Sequence, residues 1–144
     1  LNAPRMGTPV GDPNSAGVEI DVMEYHHKLD SGRRVQQTLH WDGYGKDHKS
    51  KGPQPVVQGI TQGFHNYAIE WTPDEYVFFV DGIETWRVTA KEGGAISHIA
   101  EHMILSLEVG DWAGKITDAK LPDSMIVDYV RVWQKPEAPK KKPS

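Results

Sequence analysis

Short runs in which apolar and polar side chains alternate, separated by glycine, proline, asparagine and aspartate, predict a chain of β-strands. The first run is Gly17 to Tyr25, followed by Arg34 to Trp41 and Gln62 to Trp71. Tyr76 to Val80 and Ile83 to Val88 face each other across Asp81-Gly82, the strongest hairpin signal in the sequence, because both turn residues tolerate positive φ. Met103 to Val109 and Met125 to Gln134 complete the set. Phe64, Trp71 and Phe78 are expected in the core, since alternation with polar neighbours already accounts for them. Residues 1–16 read as a loop entering the first strand. Residues 42–55 open on the turn signal Asp42-Gly43 and read as a long polar loop, a length often associated with function.

The first run carries acid where apolar residues would be cheaper. In an extended strand Glu19 and Asp21 share one face, while Ile20 and Val22 project into the layer behind it. Strict parity would send Glu24 in with Ile20 and Val22, where an ionised carboxylate is costly. One extra residue at Val22-Met23, a β-bulge, would return it to the face of Glu19 and Asp21. An edge strand protected by charge is the plain alternative. Against that, like charges crowded together raise at least one pKa, and carboxylates whose pKa values are pushed apart are where acid and base roles are found. Glycoside hydrolysis with retention suits such a set: one carboxylate attacks the anomeric carbon and another protonates the leaving oxygen, with the two roughly 5 to 5.5 Å apart.

Glu19-Ile20-Asp21-Val22-Met23-Glu24 resembles the catalytic signature of glycoside hydrolase family 16, in the longer, bulged form of laminarinases, agarases and carrageenases. Phe64 to Pro73, then Val80-Asp81-Gly82, and finally Met125 to Trp133 resemble further framework segments of that family in the same order. The resemblance implies Glu19 as nucleophile, Glu24 as acid/base and Asp21 as the assisting carboxylate. It implies an all-β, concanavalin-like jelly-roll sandwich, of which residues 1–134 would form the C-terminal part. The N-terminal strands of the family are then expected on a complementary chain or a covering self-association. Residues 135–144 read as a Pro- and Lys-rich tail or linker.

Composition narrows the partners. The 144 residues are 38% hydrophobic and 25% charged, enough for one globular domain with a core. A net charge of -4 and a pI near 6.0 leave no basic field for nucleic acid. Cysteine is absent, which removes disulfide and thiol chemistry, and no apolar run approaches a membrane span. The resemblance nevertheless implies a secreted, periplasmic or cell-surface protein.

Substrate contacts are expected from His40 and Trp41 at the end of the second strand, since sugar rings stack their C–H faces on aromatic rings and offer hydroxyls to polar groups, with core packing as the commoner use of a lone tryptophan such as Trp41. Ser106 and Glu108 share a face of the Met103–Val109 strand, with a salt bridge as the alternative use of Glu108. Trp112 lies in the loop that follows, available for stacking. His98 and His102 stand four apart, a spacing that binds metal on a helix, but no third ligand is evident; the adjacent His26 and His27 would face opposite ways. Asp128 resembles the calcium-ligating aspartate of the family, so a structural calcium is possible while no cofactor is required for the chemistry. The expected activity is endo-acting hydrolysis of a β-1,3-glucan, with a marine galactan as second choice and a non-catalytic glycan-binding sandwich as the competing class.

Overall fold

The computed structural model describes residues 1–136 apart from His27, Asp111 and Ala119. The His26-His27 pair, the 110–114 loop and the 135–144 tail are therefore known only in part, with His27, Asp111 and residues 137–144 outside the described residues. Among the described residues the chain is all-β. Strands β1 (Glu19–Glu24), β2 (Gln36–Trp41) and β3 (Lys49–Lys51) form one antiparallel sheet, and β4 (Tyr67–Trp71), β5 (Glu75–Val80) and β6 (Ile83–Thr89) form a second. A four-residue α-helix, α1 (Pro13–Ala16), precedes β1, opened by Asp12 accepting the Ser15 N–H at 3.3 Å. No helix among the described residues is long and apolar enough to cross a membrane.

The two sheets pack face to face. Ile20 and Leu39 from the first, with Val18 just before β1, cluster with Tyr76, Phe78 and Val88 from the second and with Ala95 and Ile96. Phe78 is fully buried and stacks on Trp86 with ring centroids 4.8 Å apart, the geometry that offset aromatic pairs prefer. Each such side chain removed from water contributes about 1.5–3 kcal/mol. A polar link crosses the same core: the Thr85 hydroxyl of β6 donates to Oε1 of buried Gln37 on β2 at 2.9 Å. The β5–β6 hairpin turns at Asp81 and Gly82, both in the left-handed region with φ of 50° and 78°. Asp81 also accepts the Asn66 N–H at 2.9 Å and holds His65 Nδ1 at 2.7 Å, which ties the start of β4 to the turn.

Three expectations are corrected by this arrangement. The third strand begins at Tyr67 rather than Gln62, because residues 59–63 make a tight turn with Gly59 and Gly63 at positive φ; Phe64, just after it, is 70% exposed and not core, and Trp71, also expected in the core, is exposed at the end of β4 with its Nε1 donating to the Ser97 carbonyl at 3.0 Å. His98 to His102 form no helix, so His98 and His102 share no helical face; His98 Nε2 instead donates to the Pro73 carbonyl at 2.9 Å. Met103–Val109 and Met125–Gln134 have the alternation of strands but no ladder partner among the described residues, and they lie open, with Leu107 64% and Trp133 80% exposed. Alternation specifies which face a strand would bury; it does not supply the neighbouring backbone whose N–H and C=O groups make it a strand.

Candidate active site

The bulge expected in β1 is present. Glu19 pairs with His40, Ile20 with Leu39 and Asp21 with Thr38, after which the register slips so that Glu24 pairs with Gln36. Three steps on β1 thus match two on β2, and Glu19, Asp21 and Glu24 all oppose even-numbered residues of β2. The other face of the same ladder goes into the core through Ile20 and Leu39.

Each carboxylate has its own setting. The Asn2 amide donates to Oε2 of Glu19 at 3.0 Å, and the Tyr44 hydroxyl donates to the same oxygen. Burial, reinforced by the charges of Glu24 and Glu19, pushes the Asp21 carboxyl up to about 7, and His40 Nε2 stands 3.3 Å from its Oδ2. Burial also raises Glu24, helped by Glu19 and, more weakly, by Glu108, while the Gln36 amide at 3.3 Å pulls it back down. The set therefore contains a middle group that keeps its proton near neutrality between two flanking carboxyls. It can supply a nucleophile and a proton donor on one surface.

Around this set, His40 lies on the acid face, paired with Glu19; burial lowers its pKa, His48 lowers it further, and the Glu19 charge opposes both. Its Nδ1 lies 2.9 Å from His48 Nε2, with the two rings stacked at 5.1 Å. A neutral His40 that accepts at Nδ1 carries its proton on Nε2, where it faces Asp21. Trp41, expected beside His40 as a sugar contact, projects to the opposite face and packs against the core cluster, because adjacent strand residues point opposite ways. Ser106 and Glu108 lie on an exposed segment rather than a strand and bond to each other at 2.9 Å, yet the charge of Glu108 reaches Glu24. Trp112 sits against the loop after β1, its ring edge-on to His26 at 4.9 Å. Asp128 is exposed, and no three His, Cys, Asp or Glu side chains gather for a metal among the described residues, whereas calcium takes six to eight oxygens.

Asn2, Gln36, Tyr44 and His48 were not singled out by the sequence. Gln36 could have been found by carrying the β1 bulge across to its partner strand. Tyr44 and His48 had only the length of their loop as a signal, and Asn2 had none, since its role depends on where residues 1–3 pass beside β1.

Comparison with known proteins adds an independent view. The model of the family "Glycosyl hydrolases family 16" matches residues 8–131. The clotting factor G alpha subunit of Tachypleus tridentatus is 30% identical over 122 residues, covering 81% of this chain and 17% of that protein. The glucan endo-1,3-beta-glucosidase A1 of Niallia circulans is 30% identical over 135 residues, covering 83% and 20%. The chain thus spans about a fifth of the length of each of these relatives. A solved Bacteroides ovatus GH16 structure, from a mixed linkage glucan PUL and in complex with a G4G4G3G product, overlays with a TM-score of 0.48 at 15% identity, covering 63% of this chain and 41% of that one.

Proposed function

The chain belongs to the glycosyl hydrolases of family 16, and on that premise we propose that it acts as an endo-acting, retaining β-glycoside hydrolase of polysaccharides, with Glu19 as nucleophile, Glu24 as acid/base and Asp21 as the assisting carboxylate. The observation that carries the reading is the β1 bulge, which sets all three carboxyls on one face. In the first step a Glu19 oxygen bonds to the anomeric carbon as the glycosidic C–O bond breaks, and the leaving oxygen takes the Glu24 proton. In the second, Glu24 removes a proton from water, the water oxygen bonds to the anomeric carbon, and the Glu19 ester bond breaks to restore the carboxylate. A raised Glu24 pKa supports the acid role, since the group must hold a proton before cleavage. Asp21, protonated near neutrality, relieves the repulsion that three ionised carboxylates would suffer. Carboxyl groups alone supply the nucleophile and the proton, so the chemistry asks for no cofactor.

A β-1,3-glucan is the substrate we favour, supported by the Niallia circulans relative, which is named for that linkage. His40 on the acid face and Glu108 near Glu24 would offer hydroxyl partners, and Trp112 a stacking surface. A polymer of this size is met outside the cell, which supports action after export.

A Glu24→Ala variant tests the assignment. With an aryl β-glycoside whose leaving group needs no proton, the variant should still form the glycosyl-enzyme, and azide should restore turnover by replacing the activated water. Failure of azide to rescue a folded Glu24→Ala protein would sink the acid/base role. Laminarin, agarose and carrageenan assayed in parallel decide between glucan and galactan. A wild-type protein that binds laminarin but releases no reducing ends would instead be a binding module.

A further inference from the structure

The loop 42–48 reaches back over the acid face in a way the established family chemistry does not require. Its base is pinned: the Asp42 carboxylate is buried, accepting the Gly11 N–H at 2.7 Å on Oδ1 and pairing with Lys49 Nζ at 2.7 Å on Oδ2. Asp42 and Gly43 both take positive φ, 63° and 73°, which turns the chain sharply out of β2. Gly7 lies against that turn so closely that a β-carbon there would come within 2.4 Å of the Gly43 nitrogen. From this base Tyr44 and His48 fold together with ring centroids 5.2 Å apart, and His48 stacks in turn on His40. The Tyr44 ring is open to solvent, but its hydroxyl sits among the carboxylates and donates to Glu19 Oε2.

We propose that Tyr44 is a positioning residue for the nucleophile: its hydroxyl and the Asn2 amide hold Oε2 of Glu19, so that Oε1 is the oxygen presented to the anomeric carbon, with His48 bracing the Tyr44 ring. This rests on Glu19 being the nucleophile, as argued above. Among the described residues both donors converge on Oε2 and Oε1 receives none. A carboxylate free to rotate about its last bond offers the anomeric carbon many unproductive geometries; one oxygen fixed by two donors leaves the other aimed. The phenol remains a donor throughout, because burial of its hydroxyl end, the hydrogen bond to Glu19 and the charges of Asp21 and Glu24 hold its pKa well above the ordinary tyrosine value. The bond change is the one already written: Oε1 bonds to the anomeric carbon, the glycosidic bond breaks, and the leaving oxygen takes the proton of Glu24. Tyr44 keeps its own proton.

The test uses the complete polypeptide and 2-deoxy-2-fluoro β-glucosyl and β-galactosyl disaccharides carrying a dinitrophenolate leaving group, which trap the glycosyl-enzyme. Wild-type labelling is located by peptide mass spectrometry, and the labelling rate constant and the affinity for the probe are measured separately for wild type, Tyr44→Phe and His48→Ala. The expected result is a label on Glu19, a rate constant lowered about tenfold or more in Tyr44→Phe as for a lost hydrogen bond to a charged group, a smaller drop in His48→Ala, and probe affinity and melting temperature nearly unchanged in both. A Tyr44→Phe variant that labels Glu19 at the wild-type rate overturns the positioning role and leaves the nucleophile in place. A label on another residue, or none with either probe, overturns the nucleophile assignment and the positioning role with it.

Discussion

The two faces of the β1–β2 ladder are made by the same few residues and do opposite things. On one face Ile20 and Leu39 are fully buried against the aromatic residues of the second sheet and stabilise the fold. On the other, Glu19, Asp21 and Glu24 crowd together, and burial drives Asp21 and Glu24 away from their ordinary pKa values. A pKa displaced by folding is a stability cost in the charged form. The contrast therefore separates side chains kept for the fold from side chains kept despite it, within one pair of strands. The pleat makes this possible, since neighbours along a strand answer to different environments.

The largest expected effect lies on the acid face. Glu19→Gln should remove turnover of polymeric glycan by several orders of magnitude while leaving glycan binding and thermal stability near wild type, because an amide keeps the shape but cannot attack. A substantial residual rate in a reducing-sugar assay would break the assignment of chemistry to that face. One residue along, Ile20→Ala should do the reverse, lowering unfolding free energy by about 2–5 kcal/mol in denaturant melts through lost burial and a cavity. Unchanged stability there would mean the second sheet does not depend on this packing.

Asp21→Asn sharpens the comparison through pH. In the fold Asp21 holds its proton to about 7, whereas in the unfolded chain an aspartate loses it near 4, so between those values the native state binds more protons. Stability from this group is fully present below about 4 and falls as pH rises towards 7, by up to about 4 kcal/mol. The Asn variant lacks that fall. Its unfolding free energy should change less between pH 4 and 7 than that of wild type, and it should be the more stable protein at pH 8. Parallel curves for the two proteins would show that Asp21 is not held protonated by its surroundings.

What could be read in the sequence follows the range of the forces involved. The β1 bulge was legible because the parity of Glu19, Asp21 and Glu24 against Ile20 left it as the arrangement that puts all three acids together. The Asp81-Gly82 hairpin was legible because its turn chemistry is local. Trp41 goes to the core, the commoner place for a lone tryptophan, because strand parity sends it away from His40. Phe64 was misplaced by extending β4 through a glycine-bounded turn. Met103–Val109 and Met125–Gln134 show the limit most plainly, since alternation names a face to bury and says nothing of what is there to bury it against. Tyr44 and Asn2 meet Glu19 from 25 and 17 positions away, contacts that only the folded path of the chain creates.

The central claim is that the acid face cleaves through a glycosyl-enzyme on Glu19, and the anomer formed first reports on it directly. In proton NMR of early hydrolysis of a β-linked glucan oligosaccharide by the complete polypeptide, the account predicts that the β-anomer of the new reducing end appears first and mutarotates afterwards, because two displacements at one carbon restore its configuration. An α-anomer appearing first would require water to attack directly in a single displacement, and would contradict a covalent role for Glu19.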